Sequence, residues 1–266
     1  MAEDVHLASD GRQIVPEERR RRILALMAGN EQITVNRLAL ELGVSKETIR
    51  RDLRQLAERR LLRKVHGGAV TTQTAHENEF SLRVAQQRAE KQRIAERAAA
   101  LFSAGDSLFI DAGTTTAIFA GALAVRSGLT VITNSIEVAA RLWHGPGKNR
   151  VHLLGGEYRG DPPETIGPQA IEQIATFRAD HAVLTIGAID AEGGFLDFNM
   201  DEAKVAAAMV RQAGSVTVLA DHTKLGRLAL VKVCDLKEVE RLVTDAPPPK
   251  PLGNALHAAG VEVIVA

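Results

Sequence analysis

The 266 residues are 45% hydrophobic, enough for one sizeable core and a smaller module, and their equal numbers of basic and acidic groups (33 each) argue by themselves for no partner. No apolar run approaches the ~18 residues of a membrane span, and Met1 to Ile14 is polar and acidic where a secretory signal is apolar, so a cytoplasmic location is expected. The single cysteine, Cys234, excludes an internal disulfide and supplies no metal cluster by itself; a small buried thiol is the expectation.

The zero sum conceals a gradient. Residues 17 to 65 carry a net +6, the first sixteen −2, and residues 66 to 266 therefore −4: a basic head precedes a mildly acidic body. PEERRRRILALMA, residues 16 to 28, starts with proline and two acids at the positive end of a helix dipole and continues with Ile23, Leu24, Leu26 and Met27. After Gly29-Asn30, Thr34 is a candidate N-cap for VNRLALEL, in which Val35, Leu38, Ala39 and Leu42 share a face, and Gly43 ends that helix. Ser45 then caps KETIRRDLRQLAERR, with Thr48 at the position where a capping box has Glu or Gln.

Two short helices joined around a glycine, the second strongly basic, form the helix-turn-helix pattern. Val44, Ile49, Leu53 and Leu56 lie near one face of the third helix, whereas Lys46, Glu47, Arg50, Arg51 and Arg54 fall on the other, an arrangement able to follow a major groove. A solvated basic helix is the plain alternative. Leu61 to Val70 then reads as two short strands about a Gly67-Gly68 turn. Its first strand, with Arg63 and Lys64, suits a wing along phosphates, and His66 beside Gly67 is a phosphate or backbone contact rather than a metal ligand. Thr34, Ser45 and Thr48 complete the candidate DNA-facing set.

The stretch VSKETIRRDLRQLAERRLLRKVHGGAV resembles the DNA-binding signature of the DeoR family of bacterial transcriptional regulators, a winged helix-turn-helix. The resemblance continues through KQRIAERAAALFSAGDSLFIDAGTTT, TVITNS, HLLGGEYRG and LADHTKLG, and covers residues 16 to about 245. It implies a winged helix-turn-helix over 16–71, a linker over 72–79 and an α/β effector-binding and oligomerisation domain over 80–266. It also implies double-stranded operator DNA as partner, a phosphorylated sugar as effector, and the sign of a repressor.

The residues of the body support an α/β reading independently. TTQTAHEN, residues 71 to 78, is polar and without apolar period, a linker. A helix-compatible run extends from Phe80 to Phe102, from which Arg83, Lys91 or Arg93 faces a bound anion, Lys91 foremost because the resemblance puts a lysine there. Short apolar runs then alternate with helical ones: Ser107–Asp111 with Thr115–Val125, Leu129–Asn134 with Ile136–Trp143, Val151–Leu154 with Gly167–Ile174, His181–Ile186 with Asp201–Gln212, and Val216–Asp221 with a loop. Arg241–Asp245 and Val261–Ala266 are two further candidates for strands. Such alternation predicts a largely parallel sheet, whose ligands bind beyond the carboxyl ends of the strands.

Small, hydroxyl, amide and carboxylate residues recur at those ends. They include Asp111, Gly113, Thr114, Thr115 and Thr116 in DAGTTT, Thr133 and Asn134, Gly155 and Gly156, Asp190, and Asp221 with Lys224. A strand, a hydroxyl-rich loop and a helix start hold phosphate through backbone N–H groups and the helix dipole, and the carboxylates accept from sugar hydroxyls. No cofactor is implied. The body also resembles the ribose-5-phosphate isomerase and glucosamine-6-phosphate deaminase superfamily, with Asp190 and Glu202 matching carboxylates of its acid–base stretch. It departs where Phe195-Leu196-Asp197-Phe198 follows the Gly-Gly pair and where Lys204 comes late, beside Asp201 and Glu202 as surface charges. Isomerisation needs a base over the carbon acid and an oxyanion stabiliser, so binding without turnover is expected, with Glu202 and Lys204 as effector contacts. An isomerase or deaminase with a basic appendage is the competing reading. RNA binding is disfavoured, because aromatics are 3% of the chain and none lies in the basic head. Helix-turn-helix readers double their contacts by symmetry, so a homodimer or homotetramer is expected.

Overall fold

A computed structural model describes residues 15–27, 32–58, 62–65, 68–70 and 80–266. The chain divides into two compact units, Met1–Gln73 and Thr74–Ala266.

The first unit contains α1 (Pro16–Met27), β1 (Gln32–Thr34), α2 (Val35–Leu42), α3 (Lys46–Glu58), β2 (Arg63–Val65) and β3 (Gly68–Val70). Thr34 starts α2 by accepting the Arg37 N–H on its hydroxyl at 3.2 Å, and Gly43 ends it at φ +63°, a left-handed conformation that costs glycine no Cβ clash. The β2–β3 hairpin pairs Lys64 with Ala69, and β3 pairs on its other side with β1, a strand absent from the sequence reading. Ile23, Leu38, Ile49 and Leu53 are fully buried between the helices, each contributing roughly 1.5–3 kcal/mol through burial.

One polar group lies inside this small core. Asp52, on α3, is 2% exposed; it accepts from the Arg19 guanidinium at 2.6 Å and has Arg20 at 3.6 Å. Two arginines of the basic head therefore hold α1 to α3.

The second unit begins with α4 (Phe80–Ala85) and α5 (Arg88–Ala99), not with the single helix expected over Phe80 to Phe102. Gln87 adopts φ +50° between them. At this break the Arg83 carbonyl accepts from the Lys91 ammonium at 2.7 Å. A chain of alternating strands and helices follows: β4 (Ser107–Ile110), α6 (Thr114–Leu123), β5 (Thr130–Thr133), α7 (Ile136–His144) and β6 (Arg150–Leu153). Next come a hairpin of β7 (Glu157–Gly160) and β8 (Pro163–Ile166), α8 (Pro168–Ala175) and β9 (Ala179–Thr185). The remainder is β10 (Ala188–Asp190), β11 (Gly194–Asp197), α9 (Met200–Gln212), β12 (Ala213–Leu219), β13 (Val231–Cys234), β14 (Arg241–Thr244), α10 (Lys250–Ala258) and β15 (Glu262–Val265).

Seven strands form one sheet in the order β15-β14-β12-β9-β4-β5-β6, and every pair within it is parallel. Alternate residues feed opposite faces: Phe109, Leu184, Val218 and Leu242 join one apolar layer, whereas Leu108, Ile110, Val183 and Val243 join the other. Parallel strands buried on both sides require crossover helices on both sides, so the unit is a three-layer α/β/α sandwich. The short strands missed in the sequence form accessory sheets, the β7–β8 hairpin and β10-β11-β13. Cys234 ends β13, buried as expected, and burial pushes its thiol up to about 12.

Removing Asp52 leaves two guanidinium groups without their shared carboxylate. Asp52→Ala is expected to destabilise the head by about 3 kcal/mol, with D52N, which keeps an acceptor, costing less. Amide hydrogen exchange along α3 reads the head separately from the body; unchanged protection would contradict a structural role for the pair.

Candidate functional site

Two regions carry the polar chemistry. On α3, Ser45 accepts the Thr48 N–H at 3.1 Å and its hydroxyl meets that of Thr48 at 2.9 Å, so a hydroxyl pair replaces the carboxamide or carboxylate of a complete capping box. Thr34 and Ser45 thus serve as helix caps, and Thr48 is half-buried. Lys46, Glu47, Arg50, Arg51 and Arg54 are all exposed along the face opposite Ile49 and Leu53. Arg50 pairs with Glu47 at 3.3 Å with both side chains more than half exposed, a contact of little strength and easily exchanged for another anion. Arg63 and Lys64 contribute backbone to β2; their side chains, His66, Gly67 and the 72–79 linker lie outside the described residues.

In the second unit the strand order reverses between β4 and β9: β5 and β6 extend the sheet on one side, β12, β14 and β15 on the other. The loops leaving β4 and β9 diverge at this point, the position at which open parallel sheets bind ligands. DAGTTT stands there. The Thr185 N–H, at the carboxyl end of the neighbouring strand β9, donates to both carboxylate oxygens of Asp111 at 3.1 and 3.0 Å. Gly113 passes so close to Thr185 that a Cβ on it would lie 2.0 Å from the threonine methyl. Thr114, Thr115 and Thr116 form the first turn of α6, buried, where backbone N–H groups have no intrahelical partner. The ammonium of Lys91, 5% exposed, reaches this turn from α5 and donates to the Thr114 hydroxyl at 2.9 Å.

Around this turn the described contacts add groups the sequence did not single out. Asn134, one residue beyond β5, donates to Glu164 at 3.1 Å and to the Thr165 carbonyl at 3.1 Å. Glu164 is 1% exposed; burial first, with the nearby Asp197 carboxylate adding to it against Arg159, Asn134 and Arg83, raises its carboxyl from 4.5 to about 7. Burial likewise pushes Asp111 well above the usual carboxylate range, opposed by the Thr185 amide and reinforced by Asp197 and Glu164. Arg159 pairs with Asp201 at 3.2 Å and Glu202 at 3.9 Å. Asp111, Glu164 and Asp197 therefore gather with Lys91, Arg83 and Arg159 around the expected phosphate loop, and Arg159 also engages Asp201 and Glu202. Glu164 carried no sequence signal beyond an acid within the short stretch PETI, and alternation does not reveal what such an acid faces.

Other candidates are placed apart from this group or serve local structure. Asp190 closes the β10–β11 hairpin, accepting from the Glu192 and Gly193 N–H groups at 2.9 and 2.8 Å, amides that hold its carboxyl below the usual range. Asp221 caps the short turn His222–Lys224 that contains Lys224, accepting the Thr223 N–H at 3.0 Å. Thr133 accepts the Ser135 N–H at 3.0 Å. The Gly155 N–H donates to Gln173 at 2.9 Å, and a Cβ on Gly156 would lie 2.5 Å from the Ile166 carbonyl oxygen, so both glycines fit a tight loop. Lys204 is exposed on α9, and its expected partners Asp201 and Glu202 are engaged by Arg159. Arg93 is exposed as well. Among the described residues no group of three or more His, Cys, Asp or Glu is arranged to hold a metal ion, and no helix is long and apolar enough to cross a membrane.

The raised Glu164 carboxyl has a sign. Between about pH 4.5 and 7 the unfolded chain has lost this proton while the folded one retains it, so stability is fully present below that window and falls as pH rises through it, by roughly 3 kcal/mol. Urea melts across this range are expected to show that fall in the wild type and a shallower one in Glu164→Gln, the remainder belonging to Asp111. Parallel profiles would remove Glu164 as its source.

The chain matches the family model for the DeoR-like helix-turn-helix domain over residues 19–75 and that for the DeoR C terminal sensor domain over residues 86–246. It is 36% identical over 253 residues to the HTH-type transcriptional repressor CsqR of Escherichia coli, covering 95% of this chain and 97% of that one. It is 36% identical over 232 residues to the glycerol-3-phosphate regulon repressor of the same organism, covering 87% and 92%, and 33% identical over 251 residues to the repressor GlcR of Bacillus subtilis, covering 94% and 96%. Among solved structures it is similar to the full-length sorbitol operon regulator SorC of Klebsiella pneumoniae, with 13% identity, TM-score 0.42 and coverage of 95% and 96%. Ribose 5-phosphate isomerase A of Methanocaldococcus jannaschii is similar with 18% identity, TM-score 0.39 and coverage of 53% and 55%. Both structural likenesses are too distant to locate a residue or ligand. The two family models together span most of the chain, in the order of its two compact units: this protein belongs to the DeoR family of transcriptional regulators.

Proposed function

We propose that this DeoR-family regulator is a repressor released from operator DNA by a phosphorylated sugar or polyol. The observation that carries the reading is the buried Lys91 ammonium against Thr114 at the first turn of α6. A cation and the positive end of a helix dipole, brought together out of water, suit an anion with several acceptor oxygens. The DAGTTT amides and hydroxyls hold the phosphate, and Lys91 and Arg83 neutralise it. The relatives' names support both the repressor sign and the effector class, one of them being tied to glycerol-3-phosphate.

Lys91 also supplies the route out of the site. Its ammonium holds the Arg83 carbonyl on α4, the first described element after the residues that lead from the head. A phosphate that draws Lys91 towards α6 changes what α4 is anchored to. An effector shifts the balance of two conformations only through unequal affinity for them, and this contact is where the inequality arises. The carboxylates that an isomerase would use are otherwise occupied, Asp190 by turn amides and Glu202 near Arg159, which supports sensing over turnover. In the head, the exposed side of α3 enters the major groove, and the wing, with Arg63, Lys64 and His66, follows the backbone. Two or four copies read a symmetric operator.

Fluorescence anisotropy with DNA from upstream of the protein's own gene, at fixed salt and with a panel of sugar phosphates, tests the whole reading. One phosphorylated compound is expected to shift affinity several-fold while its unphosphorylated form does not; consumption of a compound without specific DNA binding would establish the enzyme reading instead. Lys91→Met and Thr114→Ala are expected to bind operator yet lose the response. Arg51→Ala is expected to weaken operator binding by about 1–3 kcal/mol if it reads a base, whereas a uniform loss on all sequences with a lower salt slope assigns it to phosphate.

A further inference from the structure

We infer that Glu164 and Asn134 form a selectivity subsite beside the phosphate loop, one that takes ligand hydroxyls and rejects a carboxylate at the same place. The inference rests on the proposed phosphate site and specifies the rest of its ligand.

Backbone pairing fixes both side chains. Glu164 bridges antiparallel to Ser135, and the Thr165 N–H donates to the Asn134 carbonyl at 2.9 Å. The Asn134 amide uses its NH₂ group on Glu164 and on the Thr165 carbonyl, which determines the direction of the amide and turns its oxygen away from both. Each residue is 1% exposed, yet the Asn134 Oδ1 and the Glu164 Oε1 have no hydrogen-bond partner. Two adjacent buried acceptors left unmet are costly, and they are relieved by donors from outside the chain.

Register locates these acceptors. Ile110 pairs with Thr133 across β4 and β5, so Asp111 and Asn134 are the next residues on neighbouring strands, about 5 Å apart by strand spacing. A ligand whose phosphate occupies the first turn of α6 extends its next carbons past Asn134 and Glu164. Hydroxyl groups bring donors without charge. A carboxylate brings only acceptors and a further negative charge to a place where burial and the mutual repulsion of Asp111, Glu164 and Asp197 already disfavour the ionised form, and the same two effects exclude it.

Two matched pairs of probes test this, each differing only by a terminal CH₂OH replaced by carboxylate: glycerol 3-phosphate with 3-phosphoglycerate, and glucitol 6-phosphate with 6-phosphogluconate. Titration calorimetry on the full-length protein at fixed salt and pH 8, where the Glu164 carboxyl has lost its proton, with inorganic phosphate as reference, is expected to give at least one polyol phosphate an affinity about tenfold or more above both its matched acid and inorganic phosphate. Glu164→Ala is expected to lose most of that preference and keep its affinity for inorganic phosphate, which also verifies that the variant is folded. Glu164→Gln, which still accepts but carries no charge, is expected to retain the polyol and narrow the gap to the acid. Equal weakening of every probe in Glu164→Ala, or no wild-type preference for a polyol over inorganic phosphate, overturns the subsite while leaving the phosphate loop intact. A wild type that binds no phosphate-bearing probe overturns the loop and the subsite with it.

Discussion

In the second unit everything depends on a reversal of strand order in a wholly parallel sheet. Because β5 and β6 build outward on one side of β4, and β9, β12, β14 and β15 on the other, the connections leaving β4 and β9 go to opposite faces at the position where open parallel sheets bind ligands. The Asp111 carboxylate spans the gap, accepting the Thr185 N–H with both oxygens. Gly113 lets the loop close against the Thr185 side chain at a distance no Cβ tolerates. A helix start is thereby buried beside the ends of β4 and β9, and the same burial raises the Asp111 carboxyl. Topology alone marks this place as the one where open parallel sheets hold ligands, before any particular side chain is considered.

Charge is handled differently in the two units. In the head, Asp52 is satisfied by arginines from α1, and the pair is a structural pin between helices. The net +6 of residues 17 to 65 therefore overstates what is available to DNA, because Arg19 and Arg20 are committed inward while Arg51 and Arg54 stand exposed. In the sensor, carboxylates and cations meet with acceptors still unmet: Glu164 and Asn134 each retain a buried oxygen without a partner.

The break between α4 and α5 connects these two uses of charge. A continuous helix would direct the Arg83 carbonyl along its own axis; the left-handed Gln87 instead delivers it to Lys91, whose ammonium also reaches α6. One side chain thus touches both the element nearest the linker and the element that starts the site. Rearrangement at a shared donor is a small event, and packed elements convert it into discrete alternatives because they do not deform continuously.

The sequence by itself determined the features that are local. Hydrophobic period separated the strands of the main sheet from the helices between Ser107 and Gln212, and caps at Thr34 and Ser45 with Gly43 delimited the helix-turn-helix, because period, capping and turn chemistry act over a few residues. Only the tertiary structure decided which of the polar strand ends meet. It brought Lys91 to Thr114 and Asn134 to Glu164, 23 and 30 residues apart, and engaged Asp190 and Asp221 in their own turns. The bridge of Glu164 to Ser135 and the reach of Lys91 to Thr114 are pairings with distant segments. Alternation tells that a side chain leaves one face of a strand; the parallel register of residues remote in the chain decides what stands opposite it.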